Sequence, residues 1–276
     1  MTVKQQPFYQ SFIQRRPRGM EIAEKLGNLV RHRIKAVVNQ AVVRLDLREA
    51  IQRTMFMGLY ELEQTGWFRQ CLRPGDVVVD VGASFGYYTT LGAMLVGETG
   101  KVFAFEPSPL AGPVIEKMIM ESAISNTILT KTAVGSESGH VQLYMPSTPE
   151  LHSPSIFESD ATFVPVHIPV VSLDHFGPLQ EVPKIKLVKM DVEGYEPNVL
   201  DGMTRLIRER RVENIICEFN SGWLRRNNAT TPKQLYDRFL AFGYEVRAQT
   251  AFQDNLVGRH GELFDLQDIW FGLREN

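Results

Sequence analysis

The sequence predicts a doubly wound α/β fold, in which helices cover both faces of a mostly parallel sheet. Short runs rich in β-branched residues, such as Val77–Val81, alternate along the chain with longer stretches of helical periodicity. These runs are nearly continuous in their apolar character, which is typical of strands buried on both faces of a parallel sheet. In such folds the crossovers are right-handed, and ligands bind at the carboxyl ends of the strands.

The expected elements follow one another without long gaps. The turn signal Pro74-Gly75-Asp76 precedes the first strand of the sheet. From there we expect strand 77–81, helix 87–96, strand 101–105, helix 110–123 and strand 127–134. The alternation resumes with strand 185–190, helix 197–210, strand 214–219, helix 232–242 and strands 244–248 and 268–273.

Residues 139–174 interrupt this alternation. Segments 140–145 and 166–171 alternate apolar and polar residues, which predicts a pair of antiparallel strands. Between them lies a segment of about 20 residues that is rich in Pro and Ser and shows no helical periodicity. Because long loops inside compact domains commonly serve function, we expect this segment to be a lid over a bound substrate.

The N-terminal 53 residues differ in charge from the rest of the chain. They contain eleven Lys and Arg against four acidic residues, whereas residues 54–276 contain nineteen against twenty-eight. We therefore expect a basic extension (1–53) followed by one domain (54–276). Apolar residues recur every three or four positions from Met20 to Val43, which predicts a helix with one apolar face. This helix would dock on the domain or form a homodimer; binding to a membrane surface or an anionic partner is the less favoured alternative.

The composition argues against several classes of protein. The formal net charge is -2, and the acidic excess of residues 54–276 speaks against a nucleic-acid partner. The two cysteines form no metal-binding or disulfide pattern. No apolar run reaches the roughly 18 residues needed to cross a membrane, and the N-terminus lacks the apolar core of a signal peptide. These features favour a soluble cytoplasmic protein.

A glycine-containing turn follows the first strand, at Val79-Asp80-Val81-Gly82-Ala83-Ser84-Phe85-Gly86. Backbone N–H groups at such a junction point towards a bound ligand. The spacing G-x-x-x-G differs from the G-x-G-x-x-G of dinucleotide-binding proteins, and the Asp80 carboxylate would repel a pyrophosphate. That carboxylate suits instead the positive charges of S-adenosylmethionine (SAM).

The second strand ends in an acid, Glu106, which we expect to accept hydrogen bonds from both ribose hydroxyls of a nucleoside. Acids at both of the first two strand ends are stronger evidence for a SAM site than either acid alone. The alternative is that Asp80 is a plain helix cap and Glu106 an ordinary surface acid.

Three segments carry a family resemblance: Asp80-Val-Gly-Ala-Ser-Phe-Gly-Tyr-Tyr-Thr89, Val102-Phe-Ala-Phe-Glu-Pro107, and Lys189-Met-Asp-Val-Glu-Gly194 followed by Glu196. They resemble the successive motifs of FkbM-type SAM-dependent methyltransferases, over about residues 53–219. The resemblance implies a class I methyltransferase (Rossmann-like) sheet with an antiparallel last strand. It also implies O-methylation of a hydroxyl on a sugar, glycoconjugate or secondary metabolite. At Ser84-Phe85 the chain departs from the family, which more often has Asn and an aliphatic residue.

The resemblance further implies a set of cofactor contacts. Asp80 and Gly82 would lie near the methionine moiety, and Glu106 on the ribose. Ala133 would lie near the adenine, at the end of the third strand. The segment Gly58-Leu-Tyr60-Glu61 resembles the family's motif upstream of the domain, so that Glu61 would approach the cofactor. The remaining expected contacts are Ser84, Gly86, Tyr87, Ser108 and Asp191.

Charged residues are expected to converge at the carboxyl ends of two further strands. Lys189 and Asp191 share one face of the fourth strand, and Glu218 and Asn220 share one face of the fifth. Burying such charges is costly unless they are paired or functional. One alternative is therefore a purely structural ion pair between Lys189 and Glu218.

Methyl transfer to an alcohol needs the acceptor oxygen held in line with the methyl group and a group that removes its proton. We place Glu193 first as the base, because it follows the fourth strand into the crevice. Asp191 is the next candidate. His175 is a third, although it is more simply an ordinary loop histidine. Lys189 and Glu218 complete the expected catalytic set.

The same strand ends also suggest a divalent metal. The oxygens of Asp191, Glu218 and Asn220 are ligands that Mg²⁺ prefers, although Lys189 could neutralise these acids instead. Two other functional classes stay open as alternatives. One is a SAM-binding scaffold without catalysis, and the other is an NAD-dependent oxidoreductase, which the missing third glycine disfavours.

Overall fold

The computed structural model of the protein describes residues 33–146, 163–250 and 266–274. These residues group into two compact units, one made of 33–38 with 42–60 and the other of 39–41 with 61–274. The division at residue 53 that the charge pattern suggests stays a prediction. In the described part of the chain, no helix has the length and apolar character required to span a bilayer.

The segment before residue 50 folds as a β-hairpin. Strands β1 (Arg33–Val38) and β2 (Ala41–Asp46) pair with each other and are followed by α1 (Ala50–Phe56). The helix expected over residues 20–43 is therefore wrong from residue 33 onward, and residues 20–32 lie outside the described residues.

Two local preferences override the helical spacing in this hairpin. The strands are rich in valine, whose branched side chain loses rotamer freedom in a helix and packs well on a pleated strand. Between them, Asn39 and Gln40 have positive φ angles of 49° and 63°. Positive φ at both central residues is the geometry of a tight two-residue hairpin turn.

The second unit alternates helices and strands. Its helices are α2 (Leu62–Cys71), α3 (Tyr87–Val96), α4 (Ala111–Glu121), α5 (Gly177–Gln180), α6 (Glu196–Asp201), α7 (Thr204–Arg208), α8 (Ser221–Asn228) and α9 (Pro232–Ala241). Its strands are β3 (Val77–Val81), β4 (Lys101–Phe105), β5 (Thr127–Thr130), β6 (Ala133–Val134), β7 (Gly139–Pro146), β8 (Phe163–Val171), β9 (Leu187–Met190), β10 (Asn214–Asn220), β11 (Tyr244–Gln249) and β12 (Leu266–Leu273).

Seven strands form one large sheet in the order β11-β12-β10-β9-β3-β4-β5. Strands β10, β9, β3, β4 and β5 are parallel to one another, and the last strand, β12, is antiparallel to both of its neighbours. The predicted doubly wound sheet with an antiparallel last strand is confirmed. The strand order reverses between β3 and β9, which is where open α/β sheets form their ligand crevice.

The two faces of this sheet differ in chemistry. One face is apolar: Val79, Val188 and Ile215 belong to a continuous buried cluster that also includes residues of α6, α7 and α9. The other face lies against α2 and α3 and carries the buried polar residues Asp80 and Lys189. Side chains alternate along a strand, so positions 80 and 82 of the β3 segment lie on that polar face. Because Asp80 pairs with Lys189, positions 189 and 191 of the β9 segment lie on the same face.

The insertion between residues 139 and 171 forms a second, smaller sheet. Strands β7 and β8 pair antiparallel, as expected from their alternating sequence, and β6 joins β8 in parallel. The expected lid falls on residues 147–162, which lie outside the described residues.

Two expected elements are divided in the structure. Strand 127–134 is interrupted at residues 131 and 132, so that β5 stays in the large sheet and β6 joins the small one. Helix 197–210 breaks at Gly202, where a Cβ would stand 1.9 Å from the carbonyl oxygen of Gly135. Helix α7 then starts afresh, because the Asp174 carboxylate accepts hydrogen bonds from the N–H groups of its first turn.

Candidate active site

The glycine turn brings the carboxyl ends of β3 and β9 into backbone contact. Gly82 has a φ of 84°, and a Cβ at this position would stand 1.9 Å from the carbonyl oxygen of Asp191. Gly86 and Ser84 also have positive φ angles, of 77° and 50°. The turn therefore requires glycine at position 82, both for its conformation and for the close approach of the β9 strand end.

Glu106 fixes the turn to the end of β4. Its two carboxylate oxygens accept hydrogen bonds from the N–H groups of Ser84 at 2.6 Å and Ser108 at 2.8 Å. The residue is 6% exposed, and burial raises the pKa of its carboxyl against the lowering effect of these bonds. Glu106 is thus a positioned, buried acceptor, and not an ordinary surface acid.

Asp80 lies beneath the turn and is fully buried. Its Oδ2 accepts a hydrogen bond from the Thr89 hydroxyl of α3 at 2.6 Å. Its Oδ1 has no hydrogen-bond partner within the described part of the chain. Burial raises the pKa of this carboxyl, and the nearby charge of Lys189 opposes that rise.

Lys189 lies beside Asp80 in the sheet and is 4% exposed. Its Nζ is 3.0 Å from Oδ2 of Asp191 and 4.9 Å from the centre of the Tyr88 ring. The Tyr88 hydroxyl donates to Oε2 of Glu61 at 2.6 Å. Burial alone would lower the pKa of Lys189, but Asp191, Asp80 and Glu61 outweigh it and raise that pKa. Lys189 therefore forms its ion pair with Asp191. The alternative, a structural ion pair between Lys189 and Glu218, is wrong.

Asp268 of the antiparallel strand β12 also joins this group, although it is not among the site residues expected from the sequence. Asp268 lies directly opposite Glu218 in the β10–β12 pair, and Gln64 of α2 donates to its Oδ2 at 2.5 Å. Burial is the main cause that raises the pKa of Asp268 to about 7 and the pKa of Glu218 well above its usual range. The signal was present in the sequence, since Asp268 opens the closing strand, but its partner strand could not be known.

The expected magnesium ligands do not fit a metal site. The Asn220 side chain caps α8, where its Oδ1 accepts from the N–H of Trp223 at 3.2 Å. Asp191 is paired with Lys189, whose positive charge occupies its carboxylate. In residues 33–146, 163–250 and 266–274 no group of three or more His, Cys, Asp or Glu side chains is arranged to hold a metal ion.

The loop after β9 is shaped by a buried acid. Glu193 and Gly194 have positive φ angles of 52° and 91°, and Oε1 of Glu196 accepts from the N–H groups of Val192 at 3.0 Å and Gly194 at 3.2 Å. Glu196 is 1% exposed, and burial raises its pKa to about 7. Its carboxyl therefore holds the loop that carries Asp191 and Glu193.

Three other expected site residues have clear positions. The hydroxyls of Tyr87 and Thr65 are 3.1 Å apart. Ala133 is buried in β6, where it pairs with Val170 of the small sheet; it therefore does not lie in the third strand of the large sheet, and its expected contact with the adenine stays a prediction. His175 is exposed in a short 3-10 turn after β8, as expected of an ordinary loop histidine.

The close approach at Gly82 predicts a strong effect of a single methyl group. Gly82→Ala would drive a Cβ into the Asp191 carbonyl, whereas Gly97→Ala, also at positive φ (63°), meets nothing within 4 Å. We expect Gly97→Ala to lower the free energy of unfolding by about 1 kcal/mol and Gly82→Ala by at least ~2 kcal/mol more. Denaturant unfolding of both variants measures this. Equal losses would show that β3 and β9 do not approach this closely.

The buried Glu196 predicts a pH-dependent stability. Because its pKa rises from 4.5 to about 7, the folded protein keeps a proton that the unfolded chain releases between these values. Its contribution to stability is therefore present below about pH 4.5 and is lost as the pH rises to about 7. We expect the Tm of wild type to fall relative to that of Glu196→Gln between pH 5 and pH 8. Exposed Glu181→Gln is the control; parallel Tm curves for wild type and Glu196→Gln would contradict this assignment.

Comparison with known proteins identifies the family. The model of the methyltransferase FkbM domain matches residues 80–246. The hexuronic acid methyltransferase AglP of Haloferax volcanii is 30% identical over 149 residues, which are 53% of this chain and 57% of that protein, so the match spans little more than half the relative's length. A structure of methyltransferase FkbM from Methylobacillus flagellatus is 14% identical over 95% of this chain and 60% of that chain, with a TM-score of 0.46. An rRNA methylase from Streptococcus thermophilus is 13% identical over 77% and 95%, also with a TM-score of 0.46. Because the family model matches more than half of the sequence, the chain belongs to the FkbM methyltransferase family.

Proposed function

We propose that this protein transfers a methyl group from SAM to a hydroxyl oxygen of a sugar or glycoconjugate. Membership of the FkbM family supports methyl transfer. The observation that carries the choice of donor is the pair of buried carboxylates at neighbouring strand ends, Asp80 on β3 and Glu106 after β4. The similarity to a hexuronic acid methyltransferase supports a sugar as acceptor.

The residues of the turn fit a nucleoside. Each oxygen of Glu106 accepts one backbone N–H and keeps a further lone pair, so the carboxylate is held rigidly and can still accept two ribose hydroxyls. Gly82, Ser84 and Gly86 shape the backbone beside it. Ser108, Tyr87, Glu61, Asp191 and Ala133 remain proposed contacts of the same ligand.

The charges beneath the turn fit a cationic donor. Asp80 has an unpartnered buried oxygen, and the carboxylates around Lys189 outnumber its single charge. When bound, SAM supplies a methyl group on a positively charged sulfur, which an oxygen can attack from the opposite side. An anionic pyrophosphate would meet repulsion at the same place, so the charge pattern supports SAM over NAD.

We propose Glu193 as the group that takes the proton of the acceptor hydroxyl. It lies at the tip of the loop after β9, partly exposed, with the loop held by Glu196 beneath it. Asp191 is less suited to this role because Lys189 binds its carboxylate. Lys189 instead holds Asp191 in place, and Glu218 lies level with Asp191 on the next strand.

The Glu106 geometry predicts a specific loss of donor binding. In Glu106→Gln the amide group would turn an N–H donor towards the N–H of Ser84 or Ser108, and one acceptor for the ribose would be lost. We expect the Kd for SAM to rise by roughly 10-fold or more, because hydrogen bonds to a charged group contribute about 1.5–3 kcal/mol. Calorimetric titration measures the Kd, with Glu116→Gln on the exposed face of α4 as a control. An unchanged Kd in Glu106→Gln would overturn the ribose assignment.

The acceptor class is tested by transfer itself. Wild type and Glu193→Gln are incubated with SAM labelled in the methyl group and with uronic acids, neutral sugars, glycolipids and polyketide alcohols, with and without EDTA. We expect labelled sugar products that EDTA does not reduce, and a kcat at least ~10² lower in Glu193→Gln at saturating SAM. Transfer to polyketide alcohols alone would refute the sugar acceptor, and full activity of Glu193→Gln would refute its role as base.

A further inference from the structure

Three carboxyl groups lie side by side in one row across the polar face of the large sheet. Cys217 pairs with Met190, which places Glu218 level with Asp191, and Glu218 pairs with Asp268 on the other side. Neighbouring strands are about 4.8 Å apart, so the three side chains occupy adjacent positions. We call Asp191, Glu218 and Asp268 the carboxyl row.

The members of the carboxyl row differ in their partners. Asp191 pairs with Lys189, and Asp268 accepts from Gln64. The central member, Glu218, is partly exposed as a residue, yet its Oε2 is buried and has no hydrogen-bond partner within the described ranges.

The surroundings of the row add more negative than positive charge. The loop after β9 contributes Glu193 and Glu196, α2 begins next to Glu61, and β3 contributes Asp80. The positive charge that opposes these acids is that of Lys189, which pairs with Asp191. Buried acids that repel one another without compensation are costly, and natural proteins retain such arrangements mainly at functional sites.

The position of the row relative to the turn indicates what compensates it. Strand order places Glu106, the proposed ribose acceptor, on one side of β3, and the row on the other side, starting at Asp191 against Gly82. A nucleoside held by Glu106 therefore has its remaining, non-nucleoside part available on the side of β9 and β10. In SAM that part carries the sulfonium and ammonium groups.

We propose that the carboxyl row recognises the positive charge of the methyl donor, so that the protein binds the charged donor more tightly than the neutral thioether product. This inference rests on the proposed function. Opposite charges attract more strongly in a partly buried site than in water. Loss of the methyl group removes the sulfonium charge, and with it this attraction, which favours release of S-adenosylhomocysteine (SAH) and its replacement by SAM.

The test compares three ligands that differ only at the position of the sulfur. SAM has a positively charged sulfur that carries the methyl group, SAH has a neutral sulfur, and sinefungin has a carbon that carries a protonated amine. Direct calorimetric titration of the protein, without acceptor, gives a Kd for each ligand with wild type, Glu218→Gln and Asp268→Asn. Glu213→Gln is the control, since Glu213 pairs with Lys186 at the opposite ends of the strands.

We expect wild type and Glu213→Gln to bind SAM and sinefungin more tightly than SAH. A bound cation favours the ionised form of these acids, so replacing one of them by its amide should raise the Kd of SAM and sinefungin by about 10-fold and that of SAH by less than about twofold. Equal changes for all three ligands, or no change, in both variants would overturn the role of the row while leaving the proposed function intact. If wild type binds none of the three, the proposed function itself fails. The Tm of each variant shows that it is folded, and the amides should not lower it, because they are neutral and match the protonated acids in size.

Discussion

The site depends on an imbalance of charge on one face of the large sheet. Asp80, Asp191 and Glu61 all act on Lys189, and further acids stand on β10 and β12. The opposite face is an apolar cluster that needs nothing but close packing to be stable. Burial raises the pKa of Asp80, Glu218 and Asp268, so this face costs stability that the apolar face supplies.

Backbone geometry makes this charge pattern possible. The absence of a side chain at Gly82 lets the ends of β3 and β9 touch, so the turn, Glu106 and the loop after β9 form one continuous edge. The loop in turn depends on Glu196, which holds its N–H groups from below. Acids therefore act in two ways here: Glu106 and Glu196 shape the backbone, while others are the groups that we propose face the ligand.

Much of this arrangement could be predicted from the sequence because it is local. A pattern of only a few residues is enough to predict strand Val77–Val81, the turn after it and helix Tyr87–Val96. The structure has the same bounds for this strand and this helix. What the sequence could not supply were pairings across long distances. Asp268 lies next to Glu218 only because β12 pairs with β10. Gln64 reaches Asp268 only because α2 covers that face of the sheet. The prediction of a helix over the hairpin Arg33–Asp46 is wrong because its valines fit the spacing of a helix as well as that of strands. The left-handed turn at Asn39 and Gln40 distinguishes the two, and it makes the segment a hairpin.

The central claim is that carboxylates at the ends of neighbouring strands select a sulfonium-bearing nucleoside over a pyrophosphate-bearing one. Calorimetric competition between SAM and NAD⁺ for the purified protein tests this most directly. The account predicts one saturable SAM site whose affinity is unaffected by excess NAD⁺. Saturable binding of NAD⁺, with no heat on addition of SAM, would contradict it.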